Sequence, residues 1–206
     1  MEQKINHWKQ RIDAVSQAIV VICDDLDGRA LNRRPSPDSW SVAQILEHLI
    51  TINQSYFPML DKIVLGEYRL PLHGRLPFLR RFFGRFVLKG VHPDRRRRMK
   101  TFPIWEPSQS DLPADMVDRF LKHQAKLKSR MEDAAPLLES NVTIHSPASR
   151  MIVYPLNDAF EIIVTHEERH LEQIKDVLDI LEVNHPAPGI HSFPTRRSSI
   201  DRKSVV

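Results

Sequence analysis

The chain has a single cysteine, Cys23, in 206 residues. That excludes a disulfide framework and a cluster of thiolate metal ligands. Long apolar runs are missing as well: no stretch approaches the roughly 18 residues that a membrane span needs. The opening residues, Met1-Glu2-Gln3-Lys4, lead into a mixed polar and apolar pattern without the core of a signal peptide. A reducing cytoplasm is therefore the expected location. Charge of one sign is scarce once its position is considered. The formal net charge is +4, but Arg196, Arg197, Arg202 and Lys203 against Asp201 put +3 of it in residues 186–206, leaving +1 for the rest. A nearly neutral body gives no electrostatic case for nucleic-acid binding. What is present, 41% hydrophobic and 27% charged residues, is the make-up of one ordinary globular domain with a sizeable core.

Helical periodicity dominates. Ile5, Trp8, Ile12, Val15, Ile19 and Ile22 recur in steps of three and four, an amphipathic helix that stops before Asp24-Asp25-Leu26-Asp27-Gly28. Ser41 and Gln44 predict a capping box, with Trp40 and Ile45 placed as a hydrophobic staple. The helix so opened carries Ile45, Leu49, Ile52, Tyr56, Met59 and Ile63 on one stripe, with His48 flanking it. A third helix is expected after Asp111, with Val117, Phe120, Gln124, Leu127 and Met131 on its stripe and His123 off it, in solvent. Pro136 ends that segment, and residues 137–154 read as an irregular linker. Pro155 is suited to the first turn of a fourth helix that runs to about residue 182.

Between the second and third helices, prolines at 71, 77, 93, 103 and 107 break the pattern, which leaves room for one short helix near residues 78–88. Residues 69–100 hold eleven basic side chains and one acid, Asp94. With Phe78, Phe82, Phe83 and Phe86 they suit an anionic partner or a membrane surface. The plainer expectation is that the aromatics pack on the helices while the arginines stay solvated. Residues 186–206 form a basic tail. From about Gly189 it resembles the peptide encoded by a common sequencing-adapter oligonucleotide and is read as non-native.

The chemistry sits on the fourth helix. Ile163, His166, His170, Ile174, Val177 and Leu181 form an inward stripe with two imidazoles in its middle. Buried polar groups without partners cost roughly 1–3 kcal/mol each, so the pair demands a reason. Side chains at i and i+4 lie about 5–6 Å apart at Cβ, close enough for both rings to reach one metal ion. His48 on the second helix is the candidate third ligand. The resulting expectation is an all-α four-helix bundle that binds a divalent transition metal through His48, His166 and His170. Nitrogen-only ligation suits zinc, nickel or iron. Gln44 and Thr51, one turn either side of His48, are candidates to support it. Glu167 is the candidate base, on a position beside the stripe that equally suits a solvated helix charge.

The segment Trp40-Ser41-Val42-Ala43-Gln44-Ile45-Leu46-Glu47-His48-Leu49, followed far downstream by His166-x-x-x-His170, resembles the DinB-like superfamily over roughly residues 1–182. That resemblance implies an up-down-down-up bundle and a metal held by His48, His166 and His170; the long, basic connection between helices two and three departs from the shortest members of the family. The resemblance also implies relatives that act as thiol-dependent S-transferases and isomerases, in which the metal activates a low-molecular-weight thiol. A small-molecule substrate or such a thiol is the expected partner, and a homodimer is one expected assembly. Two rivals stand beside this. One is a metal-binding or stress-associated protein without catalysis. The other is a zinc peptidase, because His166-Glu167-Glu168-Arg169-His170 satisfies H-E-x-x-H. The extended peptidase motif needs glycine where Gln173 stands and histidine where Asp176 stands.

Overall fold

Four long helices carry the apolar stripes, and the computed structural model, which describes residues 2–94 and 101–181, shows how they meet. They are α1 (Glu2–Cys23), α3 (Val42–Val64), α5 (Met116–Asp133) and α6 (Leu156–Ile180). Helix α1 packs on α5 and α6, and α3 packs on the same two. Two further helices are α2 (Gly28–Asn32), whose first turn is capped by Asp27, and α4 (Pro77–Val91). The capping box at the start of α3 is formed: Ser41 Oγ accepts from Gln44 N, and Gln44 Oε1 accepts from Ser41 N. The fold is mostly helical. No helix among the described residues is long and apolar enough to cross a membrane. The basic tail, the end of the fourth helical pattern and Arg95–Lys100 of the basic connection lie outside the described residues.

Two expectations about the connections need correction. Residues 137–154 are not an irregular linker. They contain a hairpin of β1 (Thr143–Ser146) and β2 (Ser149–Pro155), antiparallel, with a register shift between His145 and Ser146. The β-branched clusters Val142-Thr143-Ile144 and Ile152-Val153 favour strands, and the short Ser146–Ser149 segment turns the chain. An all-α description therefore fails by one small sheet. The segment after Gly66 is also more regular than expected, because α4 has 15 residues. Its inner face covers β2 and α6. Gly84 lies so close to α6 that a Cβ there would stand 2.2 Å from Asp158 Oδ2. The aromatics of α4 do not all pack inward: Phe78, Phe82 and Phe86 are 64%, 60% and 59% exposed.

The core has two apolar halves. One contains Ile12, Ile52, Tyr56, Leu127, Phe160 and Ile163; the other contains Val15, Ile45, Leu49, Phe120, Ile174 and Val177. Along each long helix the change from one half to the other falls near the middle. There the buried side chains turn polar: Asn53 on α3, His123 and Gln124 on α5, and Thr165, Glu167 and His170 on α6. This polar layer positions the site.

Candidate metal centre

His48, His166 and His170 meet at this layer. Each offers one ring nitrogen, and the three nitrogens lie within 4.8 Å of one another. The two on α6 are one helical turn apart, with Nε2 to Nε2 at 3.0 Å. His48 crosses from α3, its ring centroid 5.4 Å from that of His166 and 4.9 Å from that of His170. His48, expected to flank the core, is buried inside it at 2% exposure, and His170 is buried too. His166 is half-buried, so any opening to solvent lies on its side.

The electrostatics keep the cluster neutral. Burial lowers the pKa of His48, opposed by its hydrogen bond to the Trp105 carbonyl. Burial, then the neighbouring rings of the cluster, push His166 and His170 well below the ordinary histidine range. Neutral imidazoles keep a lone pair available, which is the state a metal ligand must have. The Nδ1 atom of His48 lies 2.7 Å from the carbonyl oxygen of Trp105. A carbonyl can only accept, so this contact sets the tautomer: Nδ1 carries the proton and Nε2 faces the cluster with its lone pair. Two bare lone pairs at 3.0 Å repel, so the contact between His166 and His170 calls for a proton or a cation between them. Nitrogens bonded to one ion at about 2.0–2.1 Å, at angles near 90–110°, stand about 2.9–3.4 Å apart, and the observed spacing falls within that interval. The His166–His170 pair therefore fits one divalent metal ion, and a third nitrogen, from His48, lies within 4.8 Å of both.

The support for His48 comes from a segment that sequence reasoning left as a broken connection. The 3-10 turn Pro103–Trp105 and the residues after it are strapped to the start of α3. Gln44 Nε2 donates to the Ser108 carbonyl, while Ser108 N and Oγ donate to the two oxygens of Glu47. Gln44 thus serves the cap and this strap, not the histidines, and Thr51 makes no side-chain hydrogen bond to the cluster. Trp40, placed by the sequence as a staple, closes one side of the site. Its ring is 4.7 Å from that of His48 and stacks at 16° on His170.

Glu167 is not a solvated charge beside the stripe. It is fully buried (0% exposed), with Asn53 Nδ2 donating to Oε1 and Gln124 Nε2 to Oε2, both at 2.7 Å. Burial raises its carboxyl pKa to about 7 against the pull of the two amides. The carboxylate does not belong to the group of converging ligand atoms. His123, expected in solvent, is also buried at 3% exposure, stacked at 17° on Phe57. Two surface depressions, one lined by Asp27, Asn32 and Asp111 and one by His7, Trp8 and Asp158, do not reach the histidines.

Residues 11–174 match the DinB superfamily, a span that contains all three histidines. The chain belongs to the DinB superfamily. No curated protein and no solved structure matches it. For this DinB-superfamily chain, the histidines that its sequence pattern singles out are the ones its fold gathers.

Proposed function

We propose that this DinB-superfamily protein binds one divalent transition metal through His48, His166 and His170, on an up-down-down-up bundle of α1, α3, α5 and α6. We further propose that it works as a metal-dependent thiol S-transferase or hydrolase on a small electrophile. One observation carries the metal: ring nitrogens from two helices converge in a polar layer, and the Trp105 carbonyl fixes His48 in the ligating tautomer. Three neutral imidazoles would leave zinc, nickel or iron its full +2 charge, and such an ion supplies Lewis-acid activation of a thiol or a water. The chain's own part is to orient the ligands, to exclude water on the Trp40 side, and to leave access beside His166. A cytoplasmic setting suits a low-molecular-weight thiol. The protein's own thiol does not compete, because Cys23 is buried and its pKa is pushed up to about 11.

A second reading, a metal-binding or stress-associated protein without turnover, is favoured by Glu167. Both of its oxygens accept from amide donors and it lies outside the converging ligand atoms, so Glu167 is engaged away from the cluster. The same contacts weigh against a zinc peptidase, whose glutamate must reach a water at the metal. We read Glu167 as a positioning residue for α6. Metal analysis of untagged protein is expected to find about one equivalent, lost in His166→Ala with the helical circular dichroism unchanged. Absence of bound zinc, nickel and iron, after growth in each, would overturn the metal assignment. Turnover over a panel of thiols and electrophiles, abolished in the same variant, supports the transferase; bound metal without turnover supports the second reading. Casein hydrolysis blocked by a chelator would restore the peptidase.

A further inference from the structure

We propose that the outward face of α4, the ridge of Phe78, Phe82 and Phe86 edged by Arg81, Arg85 and Lys89, docks the protein on an anionic lipid surface. This inference is independent of the metal reading.

The helix is held rigidly by its other face. Val87, Leu88 and Val91 pack against the core, Gly84 sits against Asp158, and Arg80 Nη1 donates to Thr143 Oγ1 at 2.8 Å. That anchoring leaves the three phenylalanines, at i, i+4 and i+8, pointing away from the protein. Phe82 and Phe86 stack on each other with centroids 6.1 Å apart. At about 60% exposure each, three phenylalanine side chains present on the order of 300–400 Å² of apolar surface. This is as large as the main apolar patch of a typical monomer, and such patches mark interaction sites.

The charge around the ridge has one sign. Residues 69–93 contain six lysines and arginines and no acid. Among the described residues, Arg81, Arg85 and Lys89 have no carboxylate within ion-pair distance. Arg85 comes nearest to one, close enough to Asp158 to favour its charged form. A second copy of the chain is a poor occupant, since a two-fold contact on this face would set like charges opposite one another. A flat anionic interface suits a convex helix, because phenylalanines enter the acyl boundary while cations stay at headgroup level. With no membrane-crossing helix among the described residues, the contact would be peripheral.

The test is co-sedimentation of the full chain with phosphatidylcholine vesicles, with and without phosphatidylserine. Binding is expected only with phosphatidylserine, falling as salt is raised from about 0.1 to about 0.5 M. Phe82→Ser/Phe86→Ser and Arg81→Glu/Lys89→Glu should each weaken partitioning by about tenfold or more. Both pairs are exposed, so melting temperatures should not change, and helical circular dichroism serves as a second check that the fold is intact. No binding by the parent chain would overturn the proposal. So would binding that survives both double variants, which would belong to other cations such as the basic tail. A dimer that the phenylalanine variant dissociates, without lipid binding, would instead assign the face to self-association.

Discussion

His123→Phe isolates a single buried titration. His123 has both ring nitrogens buried with no hydrogen-bond partner, and burial lowers its pKa from 6.5 to about 4. In the unfolded chain it returns to the ordinary value near 6.5. A histidine whose folded pKa is depressed takes up a proton more readily when unfolded, so it costs stability as pH falls from about 6.5 to about 4. At 1.36 kcal/mol per unit, the loss between pH 7.5 and pH 5 is about 2 kcal/mol, and almost none of it is present at pH 7.5. Phenylalanine at this position keeps a ring against Phe57 and removes both unpartnered nitrogens. The variant should be no less stable than the parent at pH 7.5. Urea titrations of both proteins at the two pH values, in chelator so that metal release does not contribute, give the double difference. The cluster histidines and Glu167 titrate in both proteins and cancel. Equal loss of stability in parent and variant would refute the burial argument for His123.

Two other substitutions probe what holds the site. Glu47→Ala removes two of the three hydrogen bonds that anchor Ser108, loosening the strap that carries the Trp105 carbonyl to His48, and should weaken metal binding about tenfold with all three ligands intact. Isothermal titration would read it, and an unchanged affinity would dismiss the strap. Arg11→Ala removes the guanidinium that bonds Glu161 and Glu168 from α1. These side chains are about one-fifth to one-third exposed, so the expected cost is about 1–2 kcal/mol, or roughly 2–8 °C in a thermal melt.

The two α6 histidines were legible because i, i+4 spacing places them together whatever the rest of the chain does. The capping box was legible for the same reason: it is local. What periodicity cannot show is how many neighbours a helix has. A single stripe describes a helix covered on one side. Helix α6 is covered by α1 and α3 and, on a further side, by α4 and β2. With cover on that many sides, Ile162 to Thr165 are buried in succession, and Glu167, one step off the stripe, lies fully inside, held by Asn53 of α3 and Gln124 of α5. His123 misled in the same way, because its face of α5 meets Phe57 of α3. Trp105 was out of reach of any pattern, since its contribution is a backbone carbonyl at the end of a long excursion. The hairpin did carry a signal, in its β-branched residues, which a helical reading passed over.

The polar layer explains why the ligands point where they do. An unanchored helix can roll about its axis with little change in apolar contact, and a roll of one residue, about 100°, would turn both histidines off the cluster. Helix α6 cannot roll freely because directional bonds grip it from three helices beside the ligands. Asn53 of α3 and Gln124 of α5 hold Glu167, while Arg11 of α1 holds Glu161, Thr165 and Glu168 on another side. A buried carboxylate costs stability at neutral pH, and its raised pKa is the mark of that cost. It makes sense here as a fixture that orients α6 and that no apolar residue could replace, since dispersion contacts have no direction. On this account Glu167 and the histidines belong to one device: the carboxylate sets the angle at which the imidazoles meet His48.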